Sequence, residues 1–349
     1  MQNSLIIDAI KGKPIPRTPV WIMRQAGRYL PQYRELRGKV TLLEAFHSPE
    51  IAAELTLQPV ELLEVDAAII YSDILLIPEA LGMSLDYIPG KGPVFEDPLR
   101  LEPNIERLRI NSDFEERLSF VSESIRSVKA KLDDSKPLIG FTGSPWTLAV
   151  YMIEGESSKS FVNAKTFIYK EPDLFKELLE LLTEAVTRSL NLQIDAGADL
   201  VQLFDSWAGL LNPQQFNDIS LASMKEVIKN LDGSVPVIVF AKGAAHSLDV
   251  LADIGADCLG IDWGTSLSKS KNIVDNRVAL QGNLDPVVLL SDPKTVREET
   301  IKVLEAYGEG NGHIFNLGHG ILPETPVENV KMLIETVRSE SPEFHKERK

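Results

Sequence analysis

The chain has 349 residues, 44% hydrophobic and 25% charged, the make-up of an ordinary globular protein able to bury a large core. Its 51 acidic side chains outnumber 36 basic ones, and the net charge of −15 argues against general nucleic-acid binding. The single cysteine, Cys258, excludes an intramolecular disulfide and fits a reducing compartment; in its apolar run it reads as a buried structural thiol rather than a nucleophile.

In chain order, the opening MQNSLIIDAIKGKP has no basic stretch followed by an apolar one, so no secretory signal is expected. No run of about 20 apolar residues offers a membrane span, and a cytoplasmic location is the expectation. Residues 20–39, VWIMRQAGRYLPQYRELRGK, then invert the charge of the chain: Arg24, Arg28, Arg34, Arg37 and Lys39 face Glu35 alone. Arg24 and Arg28 are four apart, a repulsive spacing on a helix that an anion between them would relieve. The guanidinium fork suits carboxylates and phosphates, and Gly27 permits close backbone approach or a positive-φ turn. On charge alone, a solvated surface loop is an equally good reading.

Short apolar or β-branched runs alternate with longer amphipathic ones, which predicts βα units. The strands expected are Val20–Met23, Ala67–Tyr71, Pro137–Phe141, Leu200–Phe204, Pro236–Phe240, Cys258–Ile261, Val278–Leu280 and His313–Asn316. Capping residues followed by proline place helix starts at Ser48-Pro49, Asn212-Pro213, Asp292-Pro293 and Thr325-Pro326, with a capping box between Thr325 and Glu328. Three segments echo one another: EVDAAIIYSD, AGADLVQLFD and IGADCLGIDW each read as a helix end, a turn and a buried strand finishing in an acid. Eight such units predict an α/β fold, a single-domain (β/α)8 TIM barrel over residues 1–349, with an open doubly wound sheet as the alternative. Residues 77–100 are too long for a simple connection and suggest a hairpin excursion; the tail from about residue 340 is expected to fray.

Barrel active sites lie where strands end and loops begin. That rule selects Arg24, Asp73, residues 142–155, Asp205 with Ser206, Lys242, Asp262, Asn283 with Asp285, and His319. Position alone leaves Asp73 equally open to a structural cap, and a lone histidine such as His319 is more often structural, although glycines on both sides leave it backbone freedom. Trp146, Trp207 and Trp263 near strand ends read first as packing between loops. The remaining histidines, His47, His246, His313 and His345, belong to no constellation. No metal-ligand spacing, P-loop or GxGxxG is present, so no cofactor and no metal are indicated.

The blocks PVWIMRQAGRYLPQYRELR, YSDILLIPEALGM, GFTGSPWTLAVYMIEG, LVQLFDSWAG, LQGNLDP and NLGHGILPETP resemble the uroporphyrinogen decarboxylase family, over about Pro19 to Val330. The resemblance implies a cofactor-independent barrel enzyme that converts the four acetate side chains of uroporphyrinogen III to methyl groups, with the substrate as its own electron sink. It further implies catalytic roles for Asp73, Arg24 and Tyr151, with Asp73 accepting the pyrrole N–H groups and Tyr151 near the scissile acetate. Substrate contacts are implied for Arg24, Gln25, Ala26, Gly27, Arg28, Arg37, Ser206 and His319, and a homodimer is implied as the assembly. The proton donor is left open among Tyr151, His319 and water. Rival readings are a zinc-dependent methyltransferase of the same barrel superfamily, a Schiff-base enzyme using Lys242, and a tetrapyrrole carrier.

Overall fold

Strands that are buried on both faces need unbroken apolar runs, and VIVFA at Val237–Ala241 is such a run. In the computed structural model, which describes residues 4–101 and 103–346, it lies in a sheet of seven parallel strands. These are β1 (Ala68–Ile69), β4 (Leu138–Gly143), β5 (Leu200–Asp205), β6 (Val237–Ala241), β7 (Cys258–Gly260), β8 (Ala279–Gln281) and β9 (His313–Ile314), neighbours in that order. Two further strands, β2 (Leu85–Ile88) and β3 (Gly92–Phe95), form a separate antiparallel hairpin. This is the expected excursion in residues 77–100, docked on the end of the helix Pro145–Glu154 through Phe95 N–H to Gly155 O at 2.7 Å and Leu99 N–H to Met152 O at 2.9 Å.

The eighth expected strand, Val20–Met23, contributes a single parallel bridge, Val20 to Phe315, instead of a ladder. On its other side Asp66 N–H donates to Val20 O at 2.8 Å, so the segment closes the barrel between β9 and β1. Its sequence explains the brevity. Pro19 has no N–H to give, while Ile22 N–H is diverted to Gln25 Oε1 at 3.2 Å and Met23 N–H to Asn316 Oδ1 at 2.9 Å. Side chains reinforce the seam: Asp66 receives Arg17 at 2.7 and 2.6 Å and Val20 N–H at 2.8 Å.

The first aspartate of each echoed segment does the same work at the base of the barrel. Asp66, Asp199 and Asp257 precede β1, β5 and β7, and they accept from the N–H groups of Val20, Leu138 and Val237, each at 2.8 Å. Every one of these N–H groups opens the neighbouring strand position, so the aspartates satisfy donors that the ladder leaves over.

Helix starts at Ser48, Asn212 and Asp292 are capped as expected. The box at Thr325 and Glu328 does not form. Pro326 is extended at φ −64° and ψ 131° and itself precedes the helix Val327–Glu340, one residue too late for Thr325 to cap it. The tail is docked rather than frayed through His345: Ser341–His345 form a 3-10 turn, Ser341 Oγ accepts from Thr18 N–H at 3.0 Å, and His345 Nε2 meets Thr18 Oγ1 at 2.9 Å. Residues 347–349 of that expectation lie outside the described residues. No described helix is long and apolar enough to cross a membrane.

Candidate active site

Each echoed segment ends in an aspartate at the mouth of the barrel, and the three are treated differently. Asp205, closing β5, is fully buried; Oδ1 accepts from Ser144 Oγ at 3.0 Å and Thr147 Oγ1 at 2.8 Å, and Oδ2 accepts from Ser220 Oγ. It therefore ties the start of the helix Pro145–Glu154 to a π-helical turn at Phe216–Leu221. Asp262, beyond β7, accepts from Gly243 N–H at 2.6 Å, Gly264 N–H at 3.0 Å and Thr265 Oγ1 at 2.9 Å. Asp73 receives one well-formed bond, from Leu75 N–H at 2.8 Å. The buried Tyr87 hydroxyl, carried in by β2, lies against the same carboxylate without reaching full hydrogen-bond geometry. Of the three, Asp73 keeps the most lone pairs for an incoming donor.

Asp73 is half-buried. Burial raises its carboxyl pKa, while the Leu75 N–H, the Tyr87 hydroxyl and the Arg24 charge pull it back down. Tyr151, on the helix Pro145–Glu154, is close enough to feel both Asp73 and Arg24; burial pushes its phenol pKa up. Its ring packs edge-on to Trp207 at 6.1 Å and Phe161 at 5.9 Å. Ser206 follows β5 with a hydroxyl that has no hydrogen-bond partner among the described residues.

The arginine segment divides into structural and available groups. Arg34 donates to the carbonyls of Arg28 at 2.7 Å and Tyr29 at 3.2 Å, pinning the loop; Arg37 donates to Val40 O through Nη1 alone, and its other guanidinium nitrogens have no partner among the described residues. Gln25 is fully buried: its side chain bridges Ile22 N–H and Ala67 O, its N–H donates to Ile22 O, and its carbonyl accepts from Tyr29 Oη at 2.8 Å. Gln25 thus shapes the loop and has no polar group to spare, in contrast to the contact expected of it. The N–H groups of Ala26, Gly27 and Arg28 have no partner among the described residues, and neither Arg24 nor Arg28 is ion-paired there. The left-handed turn sits at Arg24, φ 63°, rather than at Gly27, at a cost of roughly 1–2 kcal/mol for a non-glycine residue.

The glycines around His319 serve close approach, since neither has a positive φ. A Cβ at Gly320 would come within 2.4 Å of Arg24 Cδ, and one at Gly318 within 2.3 Å of Trp263 N. They let the Arg24 stem and the Trp263 backbone press against the histidine loop. His319 Nδ1 accepts from Gly320 N–H at 2.7 Å, which assigns the proton of the neutral ring to Nε2. Burial, then the charges of Arg24 and Lys242, lower its pKa to about 3, so the ring is neutral at neutral pH.

The barrel thus brings Arg24, Asp73, Tyr151 and His319 into one electrostatic neighbourhood. Arg28 follows in the same loop, and Arg37 ends the helix Pro31–Arg37 that continues it. Tyr87 escaped the sequence reading because no pattern marks a tyrosine in a hairpin as facing a carboxylate two loops away. Trp146 is buried packing, as read, but Trp263 is 42% exposed with Lys242 Nζ 5.3 Å from its ring centroid. Among the described residues no three His, Cys, Asp or Glu side chains group as a metal site requires.

The description Uroporphyrinogen decarboxylase (URO-D) matches residues 1–340 of the chain. Proteins of that name from Alkalilimnicola ehrlichii and Methylococcus capsulatus are 47% and 48% identical to it. The matches cover 99% of this chain and 96% of the first, and 97% of this chain and 98% of the second. Among solved structures, a methyltransferase from Methanosarcina mazei superposes with a TM-score of 0.81 at 24% identity, covering 97% of this chain and 99% of its own, a likeness of fold.

Proposed function

The chain belongs to the uroporphyrinogen decarboxylase family and is a carboxy-lyase acting on uroporphyrinogen in haem biosynthesis, and we propose that it converts all four acetate side chains to methyl groups, yielding coproporphyrinogen III. The observation that carries the reading is the contrast at the mouth: one aspartate with free lone pairs, Asp73, near Arg24, which like Arg28 forms no ion pair among the described residues. A carboxylate of that kind accepts several converging pyrrole N–H donors and stabilises positive charge on the macrocycle.

The reaction then needs no electron acceptor other than the substrate. Protonation of a pyrrole carbon creates a cationic ring, the acetate C–C bond breaks with its electron pair flowing into that ring as CO2 departs, a second proton on the exocyclic carbon completes the methyl group, and loss of the proton first placed on the ring carbon restores the pyrrole. Asp73 holds the cation. Arg24, Arg28 and Arg37, with the N–H groups of Ala26 and Gly27, receive the anionic side chains; Ser206 and the His319 Nε2–H add neutral donors, and Tyr151 lies beside Asp73 and Arg24. A homodimer in the cytoplasm is part of the same proposal, tested by light scattering and cell fractionation.

The test is anaerobic incubation of purified protein with freshly reduced uroporphyrin III, followed by chromatography of the reoxidised porphyrins. Successive seven-, six-, five- and four-carboxylate products are expected. Unchanged substrate that co-elutes with the protein would identify a carrier and sink the decarboxylase reading.

A further inference from the structure

We propose that Lys242, supported on the Trp263 ring, is a second carboxylate seat at the mouth of the barrel, holding a peripheral side chain of the macrocycle away from the arginine segment. The inference rests on the decarboxylase reading and extends its binding site. In strand order β6 lies four positions round the barrel from Val20, the diametrically opposed place in an eight-membered ring. A macrocycle with carboxylates on every side presents anions there as well as toward Arg24.

Lys242 directly follows β6 and is half-buried, and it forms no ion pair among the described residues. The natural partner would be Asp262, whose carboxylate binds the very next N–H, that of Gly243. Asp262 instead accepts from Gly243, Gly264 and Thr265, and no ion pair joins it to Lys242 among the described residues. Its backbone is held on both sides: Lys242 N–H donates to Asp205 O at 3.0 Å, and Lys242 O accepts from Gly209 N–H at 2.9 Å. Gly209 and Gly243 approach so closely that a Cβ at Gly243 would lie 3.0 Å from Gly209 Cα.

The ammonium over Trp263 is attracted by the ring face, and that ring stands edge-on to His319 at 6.2 Å. The Lys242 charge also bears on His319, which places it in the neighbourhood of the proposed active site rather than on an outer surface. A cation fixed above an exposed indole, with its nearby acid withdrawn, is arranged to receive an external anion. Because the group binds a part of the substrate remote from the reacting carbon, its contribution is to ground state and transition state alike.

The experiment measures uroporphyrinogen III kinetics for Lys242→Gln and Lys242→Arg, with Lys331→Gln, an exposed lysine paired with Glu328, as the charge control. Lys242→Gln is expected to raise KM about tenfold, the scale of one charge-assisted hydrogen bond, with kcat within about twofold and an unchanged thermal midpoint. Lys242→Arg should restore most of the KM, and Lys331→Gln should match the wild type. An unchanged KM in Lys242→Gln, or a fall confined to kcat, overturns the seat. Wild-type protein that fails to decarboxylate overturns the underlying reading instead, so the two failures are distinct.

Discussion

The two ends of the barrel use the same residue types in opposite ways. At the base, acids meet cations: Asp66 with Arg17, Asp199 with Lys129 at 2.8 Å, and Glu64 with Arg338 at 2.9 Å. At the mouth, Asp205 and Asp262 are bound by hydroxyls and N–H groups, while Arg24, Arg28 and Lys242 form no ion pair among the described residues. Charge spent internally holds a structure together; charge left uncompensated is available to a ligand. The difference separates stability from binding within one repeated unit, since the first aspartate of each echoed segment staples the base and the last stands at the mouth.

The sharpest break of that comparison is between the mouth aspartates. Asp73→Asn should lower kcat on the order of 10³-fold by removing the charge that stabilises the cationic ring, with a thermal midpoint close to wild type. Asp205→Ala, at the equivalent place, should act the other way. It strands the hydroxyls of Ser144, Thr147 and Ser220 and is expected to cost about 3 kcal/mol in denaturant unfolding. If Asp73→Asn keeps near-normal turnover, its proposed role is lost.

At the base, Asp66→Ala leaves Arg17 and the Val20 N–H without their acceptor and should destabilise by about 3 kcal/mol, while kcat per folded molecule stays unchanged. A matching loss of kcat would mean that the seam also controls the mouth. His313 extends the contrast to pH. It is buried, its Nε2 lies 2.9 Å from Gly282 O, its ring stacks on Tyr307 at 4.4 Å, and His345 and Lys271 bear on it. Burial chiefly lowers its pKa to about 4, so the folded state favours the neutral ring. The unfolded chain takes up a proton first. This contribution, on the order of 3 kcal/mol, is therefore complete above about pH 6.5 and lost as the pH falls toward 4. Unfolding free energies measured across that window should show a flatter pH dependence in His313→Gln, and an unaltered slope would refute the assignment.

The smallest effect is expected at Tyr87. Its hydroxyl helps to hold the Asp73 pKa down, so Tyr87→Phe should move the acidic limb of kcat/KM toward higher pH, with the plateau rate changed less than about tenfold. An unmoved limb would make Tyr87 packing alone, against Phe46 at 5.9 Å.

Much of the architecture was legible because it depends on local pattern. VIVFA, LIGFTG and LVQLFD are apolar runs bounded by turn residues, and each became a strand. Val20–Met23 looked equally strand-like and formed one bridge, because the fate of its donors depended on Gln25, Asn316 and Asp66. The position of Asp73 at the mouth was also readable, as was the concentration of arginines before it. The sequence could not distinguish Asp73 from Asp205, since both end an apolar strand in an acid.

Local order along the chain, then, determined the alternation of strand and helix, the parallel barrel and the place of its charged mouth, since side-chain period and strand-end position are properties of neighbouring residues. Only the tertiary structure decided which charges are neutralised. Ser220 reaches Asp205, Arg17 reaches Asp66 and Gly243 reaches Asp262 from positions far apart in sequence. Hydrogen bonding acts over about 3 Å, and that distance is set by the folded packing of the strands, not by spacing along the chain.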